Sequence, residues 1–386
     1  MTEGPQHART PAPLNGDAYA RYVDLLDAPA RHVLGPDDVE PLPLRDLLAG
    51  ADVDLREAWE TLALARTERG GLSALRREIK RLYARVADDD IAIGHNADQL
   101  CHNALATLLR PGDHVIAIWP SARPYASIAR ALGAEVSPLP VRPMGHRWSG
   151  SKHWMIDISE LRAAFRHNTR LLITNFPHNP TGALPTTQEF GEIVAVVRQH
   201  GAFWLSDESQ RFLEYAPGDR LPGAVDMYPR AISIGALDAA FALPGLNVAW
   251  AASQSRAPID AVIAMREQLA GRGGASDELL ATMALRAKER VLTRSIALVR
   301  RNLALLNQFF LQHEAHFEWT PPSAGCVGFP RFKRLDSDET SRVLLREYRA
   351  LLIPAGVYGY PYNHARIGLG RETLAAGLGI LASALR

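Results

Sequence analysis

The sequence predicts an α/β protein built on a mostly parallel sheet. Three observations carry that reading. Short apolar runs alternate with amphipathic helical segments from about residue 90 to residue 250, a rhythm that lays helices over both faces of parallel strands. Polar, turn-rich residues follow three of those runs, at Asn175, Asp207 and Gly235, and open α/β sheets hold ligands beyond the carboxyl ends of their strands. The length, 386 residues, is enough for one large and one small domain sharing a core.

Composition narrows the function. Apolar residues make up 47%, which excludes a disordered chain. The 43 basic and 42 acidic side chains nearly cancel, so nucleic-acid and membrane-surface binding are not expected. No apolar run is long enough to span a bilayer. The first residues lack the apolar core of a signal peptide, so a cytoplasmic, reduced setting is expected. Cys101 and Cys326 make neither a disulfide framework nor a zinc pattern, and no metal site is expected. Lysine occurs only at 80, 152, 288 and 333.

The elements follow in order. Residues 1–50 are rich in Pro, Ala and Gly; they read as a tail, a helix around Asp17 to Asp27, and an arm. Arg56 to Thr67 reads as helix and is broken by Gly70 and Gly71. Leu72 to Arg85 is amphipathic, with Leu72, Leu75, Ile79 and Leu82 on one face. Strands are expected at 91–93, 114–118, 135–139, 171–175 and 202–206. Helices are expected at 97–109, 122–132, 158–166 and 187–200. Residues 141–157 read as irregular. After Trp250 the chain turns helical, over 258–269, 277–292 and 295–314. Strands at 317–320, 325–332 and 365–369 and helices at 339–351 and 371–385 complete a mixed tail.

Chemistry concentrates in three stretches: Asn175-Phe-Pro-His-Asn-Pro-Thr-Gly182, Ser206-Asp-Glu208, and Ser233 to Trp250 with its Leu-Pro-Gly-Leu elbow. The prolines and Gly182 set a tight turn that aims Asn179. Asp207 follows the strand expected at 202–206, where a buried carboxylate demands a cation or a raised pKa.

With these stretches the chain resembles the fold-type-I aminotransferases of class I and II, which use pyridoxal phosphate (PLP). The resemblance covers about residues 45–386. It implies a fold-type-I large α/β domain (51–290) and a small α+β domain built from an N-terminal arm (1–50) and the C-terminal part (291–386). It also implies a homodimer with the site at the interface. Asn179 would bond the cofactor's ring hydroxyl and Asp207 its pyridine nitrogen. Gln210 stands where the family has a tyrosine. Asn96, Ala97 and Asp98 open the helix whose amides would hold the phosphate. Arg366 would grip the substrate's α-carboxylate.

Other positions depart from the pattern. The Ser-x-Ser-Lys run reads Ala236-Leu237-Asp238-Ala239, so alanine stands at the Schiff-base position. Asn247 replaces the phosphate-binding arginine. Ala122 falls at the ring-stacking position, with Trp119 or Tyr125 as stand-ins, and Arg66 or Arg69 lies near the place of the partner subunit's tyrosine. One substitution introduced at Ala239 does not account for Gln210, Ala236, Asp238, Asn247 and Ala122 together, which favours natural divergence over an engineered Lys→Ala.

The expected function is therefore an aminotransferase-like enzyme of amino-acid metabolism. It would bind an amino or keto acid, with PLP held non-covalently, as a substrate adduct, or not at all. Two rivals stay open: a PLP-independent catalyst (cyclisation, elimination or group transfer) reusing the pocket, and a non-catalytic binding or regulatory homologue.

Overall fold

The computed structural model describes residues 25, 29–145 and 152–385. Of the helix expected at Asp17 to Asp27, only Leu25 lies within the described residues, and it is helical. In chain order the first nine strands are β1 (His32–Val33), β2 (Ile91–Gly94), β3 (His114–Trp119), β4 (Glu135–Gly145), β5 (Lys152–Ile156), β6 (Thr169–Asn175), β7 (Phe203–Asp207), β8 (Ala231–Ala236) and β9 (Ala249–Ala252). Eight of them form one sheet in the order β2-β9-β8-β7-β6-β3-β4-β5. The five central strands β8, β7, β6, β3 and β4 run parallel. Strand β9 is antiparallel to its neighbours, and β5 is antiparallel to β4. The α/β class with a mostly parallel sheet is thus the observed fold.

Both faces of the sheet are covered, which is why β3, β6, β7 and β8 are largely apolar and almost wholly buried. On one face Leu100, Cys101 and Leu105 of the helix Ala97–Leu108 pack with Ile259 and Val262 of the helix Arg256–Leu269 against Val115, Ile173 and Leu205. On the other, Phe190, Ile193 and Val197 of the helix Thr187–His200 meet Leu172 and Trp204. A capping box starts that last helix: Thr186 accepts from the Glu189 amide and Glu189 reaches back, satisfying amides the helix leaves open.

The C-terminal part adds short pieces: β10 (Phe317–Glu318), β11 (Val327–Gly328), β12 (Arg331–Phe332), β13 (Ala350–Leu351), β14 (Ile353–Pro354) and β15 (Ala365–Gly368). Strands β11, β15 and β14 make a three-stranded sheet. The arm joins this region, since β1 pairs in parallel with β13.

Several expectations need correction. Residues 141–157, expected to be irregular, hold a hairpin: β4 runs on to Gly145 and β5 returns, with Val141 opposite Ile156. Pro138, Pro140 and Pro143 hid it. The Glu135 amide donates inward to Asp113 O, so alternation turns positions 138 and 140 outward, where a missing N–H breaks no ladder. The helix expected from Ala122 begins at Tyr125 because Pro124 occupies its N-cap and keeps Arg123 out of helical conformation. The helices expected at Arg56–Thr67 and Leu72–Arg85 are the shorter Val53–Glu60 and Ser73–Lys80. Pro330 splits the strand expected over 325–332 into β11 and β12. The division expected at residue 292–295 falls at Ala287, between the helices Ala275–Arg286 and Lys288–Gln312.

Candidate active site

The carboxyl ends of β3, β6, β7 and β8 bring Trp119, Asn175, Asp207 and Ala236 to one edge of the sheet. Asn175 braces that edge. Its Nδ2 donates to Asp207 O at 3.1 Å, and its Oδ1 accepts from the Asn179 amide at 2.8 Å. The turn then closes through Gly182 (φ 67°), where a Cβ would lie 2.2 Å from Pro322 and 2.8 Å from Ala324 O. Only glycine suits both demands. His178 is buried inside this turn. Its Nδ1 accepts from Thr181 Oγ1 at 2.7 Å and its Nε2 donates to Pro120 O at 2.9 Å. Burial lowers its pKa to about 3, so it stays neutral and structural.

Asp207 is almost fully buried, and four donors converge on it. Arg123 Nε lies 2.8 Å from Oδ2, which also accepts from the Tyr125 hydroxyl. Oδ1 accepts from the Ser209 amide at 2.9 Å and from its hydroxyl. The cation that a buried carboxylate requires is therefore a guanidinium of the chain itself. Arg123 also reaches Asp98 Oδ1 at 2.6 Å and comes within 3.8 Å of Asp238 Oδ2. Arg123 sits in the turn after β3, just where a ring-stacking side chain was sought. Tyr125 is turned onto Asp207, and Trp119 packs against Tyr360 at 4.8 Å between ring centroids.

A second polar cluster lies against the three-stranded sheet β11-β15-β14. Arg366, on β15, is fully buried. Its Nη1 donates to Asp37 Oδ2 at 2.8 Å and to Asn179 Oδ1 at 3.2 Å, and its Nε donates to Gly35 O at 2.9 Å. Asn179 Nδ2 completes the arrangement, donating to Asp37 Oδ2 at 2.7 Å. Burial works to raise the Asp37 pKa, but Arg366 and Asn179 outweigh it and hold that carboxyl below its ordinary range. Arg366 and Asn179 thus grip a carboxylate, and the carboxylate belongs to the arm.

The remaining sequence-predicted residues fall as follows. Asn96 caps its helix by accepting from the Gln99 amide at 2.8 Å, and Ala97 is buried beneath it. Asp98 is engaged with Arg123. Gln210 turns toward the C-terminal region, its Oε1 accepting from the Cys326 amide at 3.0 Å. Ala236 ends β8, Ala239 is buried, and Asn247 is exposed. Asp238 accepts from the Ala239 amide at 2.8 Å; burial pushes its pKa up to about 6, against the pull of Arg123. Glu208 is taken up by the Ala224 amide and the Ser233 hydroxyl at 2.8 and 2.6 Å. Three of the four lysines are held elsewhere, by Asp88, Glu318 and Glu314 O, and Lys288 lines a surface cleft with Asp52 and Glu78. Among the described residues no His, Cys, Asp and Glu group could hold a metal ion, and no helix is long and apolar enough to cross a membrane.

Sequence reasoning missed Arg123, Ser209 and Asp37, and considered Tyr125 for ring stacking where it donates to Asp207. For Arg123 and Ser209 the signal was that a buried Asp207 needs donors. For Asp37 there was none.

Comparison with known proteins places this geometry. Residues 64–378 match the family aminotransferase class I and II. The chain belongs to that family. It is 28% identical to capreomycidine synthase of Streptomyces vinaceus over 294 residues, covering 75% of this chain and 73% of that one. It is 26% identical to an aspartate aminotransferase of Streptomyces avermitilis, covering 92% and 89%. A PLP-dependent aminotransferase from Streptococcus suis superposes with a TM-score of 0.87 at 25% identity, over 98% of both chains. A PLP-dependent cyclase, OrfR, in complex with Au gives 0.85 at 26%, over 100% of this chain and 99% of that one. The chain is thus an aminotransferase-like enzyme by family, and pyridoxal phosphate is the cofactor of that family.

This chain's residues do not fit a tethered PLP. Among the described residues no lysine stands in the pocket. Asp207 already has four donors. Arg123 and Arg366 stand against Asp37, Asp98, Asp207 and Asp238, an excess of acid that opposes a phosphate dianion.

Proposed function

We propose that this chain is an aminotransferase-like enzyme of amino-acid metabolism that grips the carboxylate of an amino or keto acid through Arg366 and Asn179 and does not tie PLP covalently. One observation carries the reading: Arg366 and Asn179 converge on a carboxylate oxygen at 2.8 and 2.7 Å. A planar guanidinium and an amide hold a carboxylate by direction as well as charge. In this reading Ala239 stands where the family's lysine would be, and Ala236 and Asn247 stand where phosphate-binding residues would be. With no amine at 239 there is neither a tether nor a proton shuttle from that position. The groups left to handle protons are Asp238, with its raised pKa, and the Tyr125 hydroxyl, which burial and then Asp207 hold protonated. The arm (1–50) and residues 291–386 would act as the small domain against a large domain at 51–290. A cytoplasmic homodimer goes with this reading.

A second reading, a PLP-independent catalyst reusing the pocket, is favoured by Arg123, which occupies the carboxylate that would otherwise polarise a cofactor ring.

The test is ligand binding by calorimetry with an amino-acid panel, comparing the chain with Arg366→Ala. Loss of all carboxylate binding in the variant supports the reading. Unchanged affinity defeats it.

A further inference from the structure

We propose that Asp37 is a built-in occupant of the carboxylate seat, and that it makes the site select α-amino acids over 2-oxo acids. The inference rests on the reading of Arg366 as the carboxylate grip and adds what competes with the ligand and which ligand wins.

The backbone around Asp37 is clamped. Leu34 N donates to Leu351 O at 2.8 Å, Gly368 N to Leu34 O at 2.7 Å, and Glu40 N to Gly370 O at 2.7 Å. A Cβ on Gly368 would fall 2.1 Å from Pro36 O, and one on Gly370 would fall 2.0 Å from Asp38 O, so both glycines are needed for this close approach. Asp38 pairs with Arg371 at 2.6 Å, and Cys326 Sγ donates to Asp37 O at 3.1 Å. The side chain of Asp37 is different. It keeps 36% exposure while Arg366 has none. A turn about its own side-chain bonds would withdraw the Asp37 carboxylate from Arg366 with the backbone left in place, while Gly35 O and Asn179 Oδ1 still hold the guanidinium.

An incoming carboxylate must displace this internal one, so its apparent affinity falls by the fraction of time that the seat is open. The released Asp37 carboxylate then adds to Asp98, Asp207 and Asp238 in a pocket with two arginines. A ligand that brings an ammonium group beside its carboxylate supplies the missing positive charge. A 2-oxo acid brings only a second anion. The selection is therefore electrostatic and resides in Asp37, not in Arg366.

The probes are L-alanine and pyruvate, titrated calorimetrically into the full chain, Asp37→Asn and Arg366→Ala. The wild-type chain is expected to bind L-alanine at least about tenfold tighter than pyruvate. Asp37→Asn is expected to bind pyruvate at least about tenfold tighter than the wild type does, and to narrow the preference. Unchanged affinities in Asp37→Asn, or no binding of either probe to it, overturn the proposal. So does a wild-type preference for pyruvate. Loss of both ligands in Arg366→Ala leaves the carboxylate reading standing whatever Asp37 does, whereas unchanged binding there defeats that reading itself. If Asp37→Asn does not fold, Asp37→Ser is measured with the same criteria.

Discussion

Arg123 stands with its Nε 2.8 Å from Asp207 Oδ2, and the two form the charged centre of the pocket. Asp207 comes from the end of the central strand β7, so its position is set by the sheet. Arg123 comes from a turn that Pro124 holds out of the following helix. The sheet thus presents a buried acid, and a loop closes it with a cation of the same chain.

Removing that cation leaves Asp207 buried with only neutral donors. Arg123→Ala is expected to destabilise the chain by about 3–5 kcal/mol, the usual cost of orphaning one partner of a buried pair. Urea unfolding measures it. Arg123→Lys is expected to recover part of the loss, since one ammonium reaches Asp207 but cannot also span to Asp98 and Asp238.

His178 predicts acid sensitivity. Burial lowers its pKa from 6.5 to about 3, so the unfolded chain takes up the proton first. Its contribution is complete above pH 6.5 and is lost as the pH falls below that value. From pH 7 to pH 5 the loss amounts to about 2 kcal/mol. Chemical denaturation across that range, compared with His178→Gln, isolates it; a variant with the same slope as wild type would refute the assignment.

Asp238 predicts the opposite slope. Its carboxyl is raised from 3.8 to about 6 by burial. A raised acid favours the folded chain below pH 3.8, and that advantage disappears as the pH rises through about 6. Asp238→Asn is expected to flatten the pH dependence of stability between pH 4 and 6, and to flatten any pH dependence of ligand binding near 6 if Asp238 handles a proton there.

Gly182 carries the turn that aims Asn179. Gly182→Ala puts a Cβ 2.2 Å from Pro322 at a positive φ. A loss of at least about 1–3 kcal/mol is expected, with weakened carboxylate binding as Asn179 is displaced. Thermal melts and the same calorimetric titrations check both.

What the sequence disclosed follows from the range of each signal. The sheet was legible because most parallel strands carry a short apolar run, such as residues 115–119 or 171–173. The Asn175–Gly182 turn was legible because its prolines and glycine act locally. The β4–β5 hairpin was not, because prolines on the open side of a strand look like breaks. Asp37 was invisible for a different reason. It lies in an arm without periodicity and meets Asn179 and Arg366 across 142 and 329 residues of chain. The tertiary pairing of β1 with β13, with the backbone bonds of Leu34 and Glu40 to Gly368 and Gly370, brings it there.

The central claim is that a pocket of aminotransferase architecture fills its own charged seats and offers no amine to tether the family's cofactor. It is tested most directly by incubating the purified chain with PLP, reducing with borohydride and mapping the labelled peptides by mass spectrometry. The account predicts no stoichiometric pyridoxyl group on any lysine. One pyridoxyl group per chain on a single lysine would contradict it.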